Sequence, residues 1–191
     1  MPDPSSSIEE FTALRATIRE RGTLRLFVMA ITFVSWTAIF ATGWPSRSAA
    51  VLPCLASLLL LAAGFEVAFA AHVGAERVGR YIHASFEGTG LEPPRWEHAV
   101  LAFGTPAGRA PGLDPLGVSL FSAAALLNLT PVMITTARAT PPSFLSIVGA
   151  VVAILAHGAF WLRLRQTARF ARRQREVDAS ILAEDLRKAG R

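Results

Sequence analysis

Four long apolar stretches dominate the pattern of hydrophobic and polar positions along this chain. They cover residues 26–46, 48–65, 115–137 and 139–162, and none of them contains Asp, Glu, Lys or Arg. A hydrocarbon core about 30 Å thick takes about 20 apolar residues in helical form. The stretches also lack the regularly spaced polar positions of a soluble amphipathic helix. The pattern therefore predicts four transmembrane helices, over roughly 24–42, 49–71, 116–136 and 144–162.

The segments outside the four spans have a helical pattern of their own. In the N-terminal segment, 1–23, Ser7 and Glu10 form a capping box that opens a short amphipathic helix. The loop 72–115 continues the second span before Gly and Pro residues end it, and the basic segment 163–191 continues the fourth span without a helix breaker. The prediction is an all-α membrane protein, a four-transmembrane-helix bundle with cytoplasmic amphipathic helices at both termini and in the middle loop.

Basic residues are distributed on one side of the predicted spans. Of the 19 Lys and Arg residues, only Arg47 and Arg138 fall in the two short connections, after the first and third spans. Cytoplasmic segments carry the excess of basic residues, so both termini and the middle loop are predicted to be cytoplasmic. The abundance of Arg, Ala, Gly and Pro is typical of a bacterial chain. The predicted location is therefore the cell inner membrane, as a multi-pass protein.

The composition narrows the classes of function. Hydrophobic residues make up 52% of the chain, which argues against a soluble domain. The single cysteine, Cys54, excludes an intrachain disulfide and a cysteine-based metal cluster within one chain. Phosphate-loop, nucleophile-elbow and His-Glu-x-x-His motifs do not occur. We therefore expect no cofactor, no metal and no catalytic residue, and favour a non-enzymatic role.

Two ionisable side chains lie within the predicted spans. Glu66 is the carboxylate of span two and His157 is the imidazole of span four, and each lies about five residues, or about 7 Å, from the inner end of its span. A carboxylate at membrane depth needs a partner or a polar cavity. We therefore predict that Glu66 and His157 form an intramembrane polar pair. The pair would serve either as an interhelical hydrogen bond that fixes packing, which we favour, or as a proton-titrating or solute-binding site.

A second polar cluster is predicted just beyond span two, on the cytoplasmic side. His72 and Glu76 are spaced i, i+4, and the spacing recurs eleven residues later, so the side chains share a face if the helix is straight. Histidine and carboxylate at this spacing can bind a divalent ion. The alternative, which we favour, is a solvated face stabilised by ion pairs. The cluster comprises His72, Glu76, Arg77, Arg80, His83 and Glu87.

The C-terminal helix begins with a dense basic cluster. Such a cluster beside a membrane attracts anionic headgroups by about 1 kcal/mol per residue. Charge of this kind also gives non-specific nucleic-acid affinity, but tethering at the bilayer favours lipid. The predicted headgroup contacts are Arg163, Arg165, Arg169, Arg172, Arg173 and Arg175. A broken apolar stripe further along, from Leu164 to Leu186, predicts self-association or docking of a membrane partner.

Two local features bear on packing. Small residues recur along span two from Gly64 and along span four from Gly149, which predicts close approach of these two helices. Pro131 in span three leaves the carbonyl of Leu127 without its helical donor, so Thr130 or Asn128 is expected to satisfy it.

Three functional hypotheses follow from these patterns. The leading one is a non-enzymatic assembly or accessory protein of the membrane. The second is an oligomeric carrier or proton-coupled channel built around Glu66 and His157. The third is a membrane enzyme that uses the His and Glu residues of the cytoplasmic face.

Overall fold

A computed structural model describes residues 4–43, 50–87, 115–139 and 141–188, and this part of the chain is helical, without strands. The helices are α1 (Pro4–Gly43), α2 (Val51–Ile82), α3 (Pro115–Arg138) and α4 (Phe144–Lys188), and a π-helical turn, His83–Glu87, follows α2. Each of the four contains a window apolar enough to cross a membrane, with mean hydropathy of 1.7 to 2.1. The prediction of four helices that are long and apolar enough to cross a membrane is confirmed.

Helix α1 joins two predicted elements into one. The amphipathic N-terminal segment and the first span form a single helix of 40 residues. The only weak helix former near their junction is Gly22, and a glycine in mid-helix costs only about 1 kcal/mol. Without a stronger breaker, the backbone hydrogen-bond pattern continues across the junction.

The chain folds into two compact units, which are described separately. The apolar unit comprises residues 26–68 and 114–166, and the charged unit comprises residues 1–25, 69–113 and 167–191. The structure describes both units except for residues 1–3, 44–49, 88–114, 140 and 189–191. Most of the predicted middle loop therefore lies outside the described residues.

Aromatic side chains and close backbone contacts hold the apolar unit together. Phe121 of α3 lies between Phe33 of α1, at 4.9 Å between ring centroids, and Phe65 of α2, at 5.4 Å. Phe65 also makes an edge contact with Phe160 of α4, at 6.1 Å. Helix α2 therefore contacts α4 and α3, and 39% of its apolar window is buried, the largest share among the four helices.

Small residues bring two helices close to α2. The predicted approach of α4 occurs at Gly149, whereas Gly64, which is predicted to face α4, lies against α1. A Cβ atom on Gly149 of α4 would lie 2.7 Å from a methyl group of Val51. On the other side of α2, Gly64 lies against Thr32 of α1, where an added Cβ would overlap the threonine side chain. Close approach at glycine allows van der Waals contact between helices, which is a main source of association energy in lipid.

The charged unit packs through aromatic rings as well. Phe11 of α1 contacts Phe86 of the π-helical turn, with ring centroids 5.7 Å apart, and Phe69 of α2 contacts Phe170 of α4 at 6.1 Å. The guanidinium of Arg21 rests against Gly74, where a Cβ would collide with it. In this unit, segments of α1 and of α4 thus each contact α2.

Candidate functional site

Asn128 of α3 is the centre of a buried hydrogen-bond network in the apolar unit. Its Nδ2 donates to the carbonyl of Cys54, at 2.8 Å, and lies 3.3 Å from Nε2 of His157. Its Oδ1 accepts from Nε1 of Trp36, at 3.3 Å, and from the hydroxyl of Ser57, at 2.5 Å. A side-chain amide has two N–H donors and two acceptor lone pairs. The Asn128 side chain therefore uses its full hydrogen-bonding capacity, with partners from all three other helices.

The partners determine which way the amide points. The indole N–H of Trp36 can only donate and the carbonyl of Cys54 can only accept, so the amide oxygen must face Trp36 and the amide nitrogen must face Cys54. This orientation presents an N–H to His157. Nε2 of His157 therefore accepts, while Nδ1 donates to the carbonyl of Ala153 at 2.7 Å. His157 is fully buried, and the network holds it as a neutral imidazole.

Glu66 has a different partner from the predicted one. Its two carboxylate oxygens accept from Nε and Nη2 of Arg163 at 2.5 and 2.8 Å, a side-on bidentate pair. The pair is only half-buried, with 43% of the Glu66 side chain and 42% of the Arg163 side chain exposed. His157 has both ring nitrogens engaged elsewhere, so the predicted Glu66–His157 pair is wrong. The two residues of the predicted pair belong to separate features: His157 to the Asn128 network and Glu66 to an ion pair with Arg163.

The register of α2 and α4 explains this correction. Within the apolar unit the two helices run side by side in the same direction, with Val51 against Gly149 and Glu66 against Arg163. Glu66 is therefore level with the first residue after the apolar stretch of α4. His157 precedes Arg163 by six residues, which places it about 9 Å away along the helix axis. The prediction measures both depths from the inner ends of the predicted spans, residues 71 and 162, and therefore places the two side chains at the same level incorrectly.

A pocket lies beside the Asn128 network. It is lined by Ile39, Phe40, Ala50, Pro53, Cys54, Ser57, Asn128 and Pro131, and has room for about one water molecule. The Cys54 thiol donates to the backbone carbonyl of Asn128 at 3.3 Å. Nearby, the hydroxyl of Thr130 donates to the carbonyl of Leu127 at 2.6 Å. This contact satisfies the acceptor that Pro131 leaves open, and so confirms that prediction.

Asp178 of α4 is the buried acid of the charged unit. Its carboxylate accepts from Nη2 of Arg80 at 2.5 Å and from Gln174 at 2.9 Å, and Arg77 lies at 3.4 Å. Burial opposes its ionisation, but the hydrogen bonds from Arg80 and Gln174 and the charges of Arg80 and Arg77 outweigh burial. The pKa of Asp178 is therefore below its ordinary value.

The predicted His and Glu cluster is part of the same ion-pair system. Glu76 lies 3.5 Å from Arg80 and 3.6 Å from Nε2 of His72, and Nδ1 of His72 lies 3.4 Å from the guanidinium of Arg25. The two alternatives for this cluster were a divalent-ion site and a face stabilised by ion pairs. The observed contacts between arginines and carboxylates are those of an ion-paired face. Within the described residues, no group of three or more His, Cys, Asp or Glu side chains is placed to hold a metal ion.

The second half of that cluster departs from the predicted geometry. Helix α2 ends at Ile82, and His83 is the first residue of the π-helical turn. A π-helical turn has more residues per turn than an α-helix. The α-helical spacing that would place Glu87 on the same face as His72 and Glu76 therefore does not hold beyond His83. The side chain of Glu87 lies outside the described part of the structure.

The basic cluster of α4 is only partly described. Arg165, Arg169 and Arg173 are exposed, whereas the side chains of Arg172 and Arg175 lie outside the described residues. Arg163 is engaged by Glu66. Headgroup binding by these arginines remains a prediction.

The apolar stripe of α4 differs from the predicted one. Leu164 and Ala171 are buried, while Phe170, Val177 and Ile181 are 47–51% exposed. The predicted stripe follows from spacing alone, and at Leu164 and Ala171 it lies on a face that packs inward. Ala179 of the same stripe is exposed, and the side chains of Ala168, Leu182 and Leu186 lie outside the described residues.

Among the residues that organise these sites and were not predicted, Asn128 carries a signal in the sequence. Asn128 is the single asparagine of the chain and lies in an uncharged stretch. A polar side chain at membrane depth needs a partner, which marks Asn128 as an interhelical contact. Trp36, Ser57 and Asp178 have no comparable mark, because Trp and Ser are common in spans and Asp178 lies among other charges.

Comparison of the chain with protein-family models, curated proteins and solved structures finds no match.

Proposed function

We propose that this chain is a non-enzymatic assembly or accessory protein of a bacterial inner membrane. Its four apolar helices would cross the bilayer as a bundle, with both termini and the middle loop in the cytoplasm. The length and hydropathy of the helices and the one-sided distribution of arginine support this placement. The basic residues of α4 would contact anionic headgroups.

The saturated Asn128 network is the observation that carries the proposal. A carrier or channel needs polar groups that can exchange partners with a solute or a proton. Asn128 instead spends all its hydrogen bonds on Trp36, Cys54, Ser57 and His157. Such a closed network stabilises one packing arrangement of four helices. Such a network suits a protein whose helices keep one fixed arrangement, as an assembly protein requires.

The exposed side of α4 supports an association role. Phe170, Val177 and Ile181 belong to the charged unit, beyond the uncharged stretch that ends at Leu162. Their half-exposed apolar side chains would face water there rather than lipid. A second copy of the chain, or another membrane protein, would cover them.

Reconstitution in liposomes separates this role from transport. We expect no proton flux above that of empty liposomes for the wild-type protein. A pH-dependent flux that Glu66→Gln abolishes would contradict the proposal.

Asn128→Leu should lower the free energy of unfolding by about 1–3 kcal/mol, because it leaves several buried partners unsatisfied.

The size of the complex in mild detergent tests the association role. Val177→Ser combined with Ile181→Ser should reduce the mass of the native complex, whereas Glu176→Gln, an exposed change on the same helix, should leave it unchanged. A wild-type protein that is monomeric both in detergent and after cross-linking in native membranes would rule out this role.

A further inference from the structure

The ion pair between Glu66 and Arg163 is exposed on a surface that lipid would cover. This step rests on the membrane placement proposed above. More than two fifths of each side chain is exposed, although the two groups make a close bidentate contact. Lipid over this surface would displace the water that solvates an exposed ion pair in a soluble protein. A polar group of the lipid itself can take the place of that water.

The position of the pair corresponds to the depth of lipid headgroups. The uncharged part of α4, from 144 to 162, is about 28 Å long by helical rise, close to the thickness of the hydrocarbon core. Arg163 is the first charged residue after it, and Glu66 is at the same level. A lipid beside these helices would therefore bring its headgroup to the pair.

The pair retains hydrogen-bonding capacity of both kinds. A guanidinium has five N–H donors, and the side-on contact with Glu66 uses only Nε and Nη2 of Arg163. A carboxylate offers about four acceptor positions, and the same contact uses two. Together the two groups are electrically neutral and can bind an anion at one side and an ammonium group at the other. A purely basic cluster offers only the first.

The surface next to the pair suits an acyl chain. One helical turn before Glu66 and Arg163, on the same faces, lie the exposed alanines Ala63 and Ala159. Another turn further, Leu59 and Leu155 are 71% and 67% exposed. These four exposed side chains are apolar, and the alanines are small, so a hydrocarbon chain can lie along the helices between the ion pair and the leucines.

We propose that Glu66 and Arg163 form a binding site for a phospholipid of the phosphatidylethanolamine type. The remaining N–H groups of Arg163 donate to the phosphate, and the carboxylate of Glu66 accepts from the ammonium group. The acyl chain lies along Ala63, Ala159 and the two leucines. Glu66 thereby distinguishes an amine-bearing headgroup from an anionic one, which Arg163 alone does not.

Native mass spectrometry of the purified full-length protein tests the site. Protein in detergent is titrated with phosphatidylethanolamine, phosphatidylglycerol or phosphatidylcholine, whose quaternary ammonium has no N–H to donate. The wild-type protein should retain phosphatidylethanolamine several-fold better than either alternative. Glu66→Gln should bring the ratio of phosphatidylethanolamine to phosphatidylglycerol close to one. Arg163→Gln should reduce retention of both lipids.

A matched control and a folding check accompany the titration. Gln166→Ala changes an exposed neighbour on α4 that is not part of the basic cluster, and it should leave the lipid ratio unchanged. Arg163→Lys keeps a cation for the phosphate without the side-on geometry, so it serves if Arg163→Gln lowers the yield of folded protein. Thermal unfolding of each variant identifies protein that is folded before its lipids are counted.

Several outcomes would overturn the proposal. One is equal retention of the three lipids by the wild-type protein, and another is an unchanged ratio in Glu66→Gln. Displacement of the lipid by micromolar glycerophosphoethanolamine would identify a soluble ligand instead. A loss of oligomer mass in Arg163→Gln with unchanged lipid retention would assign the pair to a second copy. The bound lipids are counted on the peak of the monomer in the native mass spectrum. The lipid measurement therefore stays valid even if the protein proves not to associate with itself or with a partner.

Discussion

At the scale of single residues, Gly64 is the position where the packing of the apolar unit leaves least room. A Cβ at this position would lie 2.6 Å from Cγ2 and 2.8 Å from Cβ of Thr32. Thr32 is buried and β-branched, so its side chain has few alternative rotamers. We expect Gly64→Ala to destabilise the protein by about 1–3 kcal/mol, despite the higher helix propensity of alanine. Thermal unfolding in detergent measures the change.

Gly158 provides the matched control for this prediction. It is also a helical glycine of the apolar unit, but no atom lies within 4 Å of where its Cβ would be. Gly158→Ala should therefore leave the unfolding midpoint unchanged or raise it slightly. Equal midpoints for the two variants would show that α1 does not pack against α2 at Gly64.

Sequence patterns predict some of these residue-scale contacts, but not those that depend on how the helices are rotated against one another. The contact between Thr130 and Leu127 follows from Pro131 alone, because the lost amide and its orphaned acceptor lie within one helical turn. Asn128 could be recognised as a residue in need of partners, but not as the centre of a network. Its partners come from three other helices, and only the relative rotation of those helices decides which side chains meet.

At the scale of elements, Asp178 joins α4 to α2 within the charged unit. It is buried, and the arginines that surround it hold its pKa below the ordinary value of about 3.9. A lowered pKa means that folding favours the ionised form. The stabilisation is therefore fully present above about pH 5, and it is lost as the pH falls below 4 and the carboxylate becomes protonated.

Asp178→Asn tests this contribution. At pH 7 the change should reduce the free energy of unfolding by about 1–3 kcal/mol, because Arg80 and Arg77 lose the charge of their partner. The loss should shrink as the pH falls below the ordinary pKa of an aspartate, because protonation of the carboxylate in the unfolded chain then opposes the ionised folded form. Glu176→Gln, an exposed change two residues away, should show no such pH dependence. Parallel stability curves for Asp178→Asn and wild type from pH 7 to 3 would contradict the prediction.

The elements also show where sequence reasoning on depth succeeds and where it does not. Four apolar stretches are enough to predict four helices, since length and the absence of charge are local properties. The pairing of Glu66 with Arg163 depends on the register of α2 against α4, and that register is determined by contacts such as Gly149 against Val51. Because α2 continues as a helix to Ile82, the end of its predicted span at residue 71 does not lie level with the end of the α4 span at residue 162. The ends of the two uncharged stretches, residues 65 and 162, do lie level.

At the scale of the whole molecule, topology is the property on which the proposed roles depend. Reporter tags inserted at Ser46 and at Thr140 should be active only in the periplasm, because few basic residues flank these connections. Tags at Gly104 and after Arg191 should be active only in the cytoplasm. Protease protection in inverted vesicles provides an independent readout. A cytoplasmic signal at Ser46 would reverse the first span and remove the basis of the headgroup site.

The saturated amide of Asn128 has a consequence for biogenesis. Helix α3, alone in hydrocarbon, would expose an asparagine whose hydrogen-bonding groups find no water there, at an energetic cost. Trp36, Cys54 and Ser57 are synthesised earlier, but His157 lies on α4, which leaves the ribosome after α3. Chains that stop before α4 would keep a donor of Asn128 unmatched. A truncated product is therefore the form that membrane quality control can recognise and degrade.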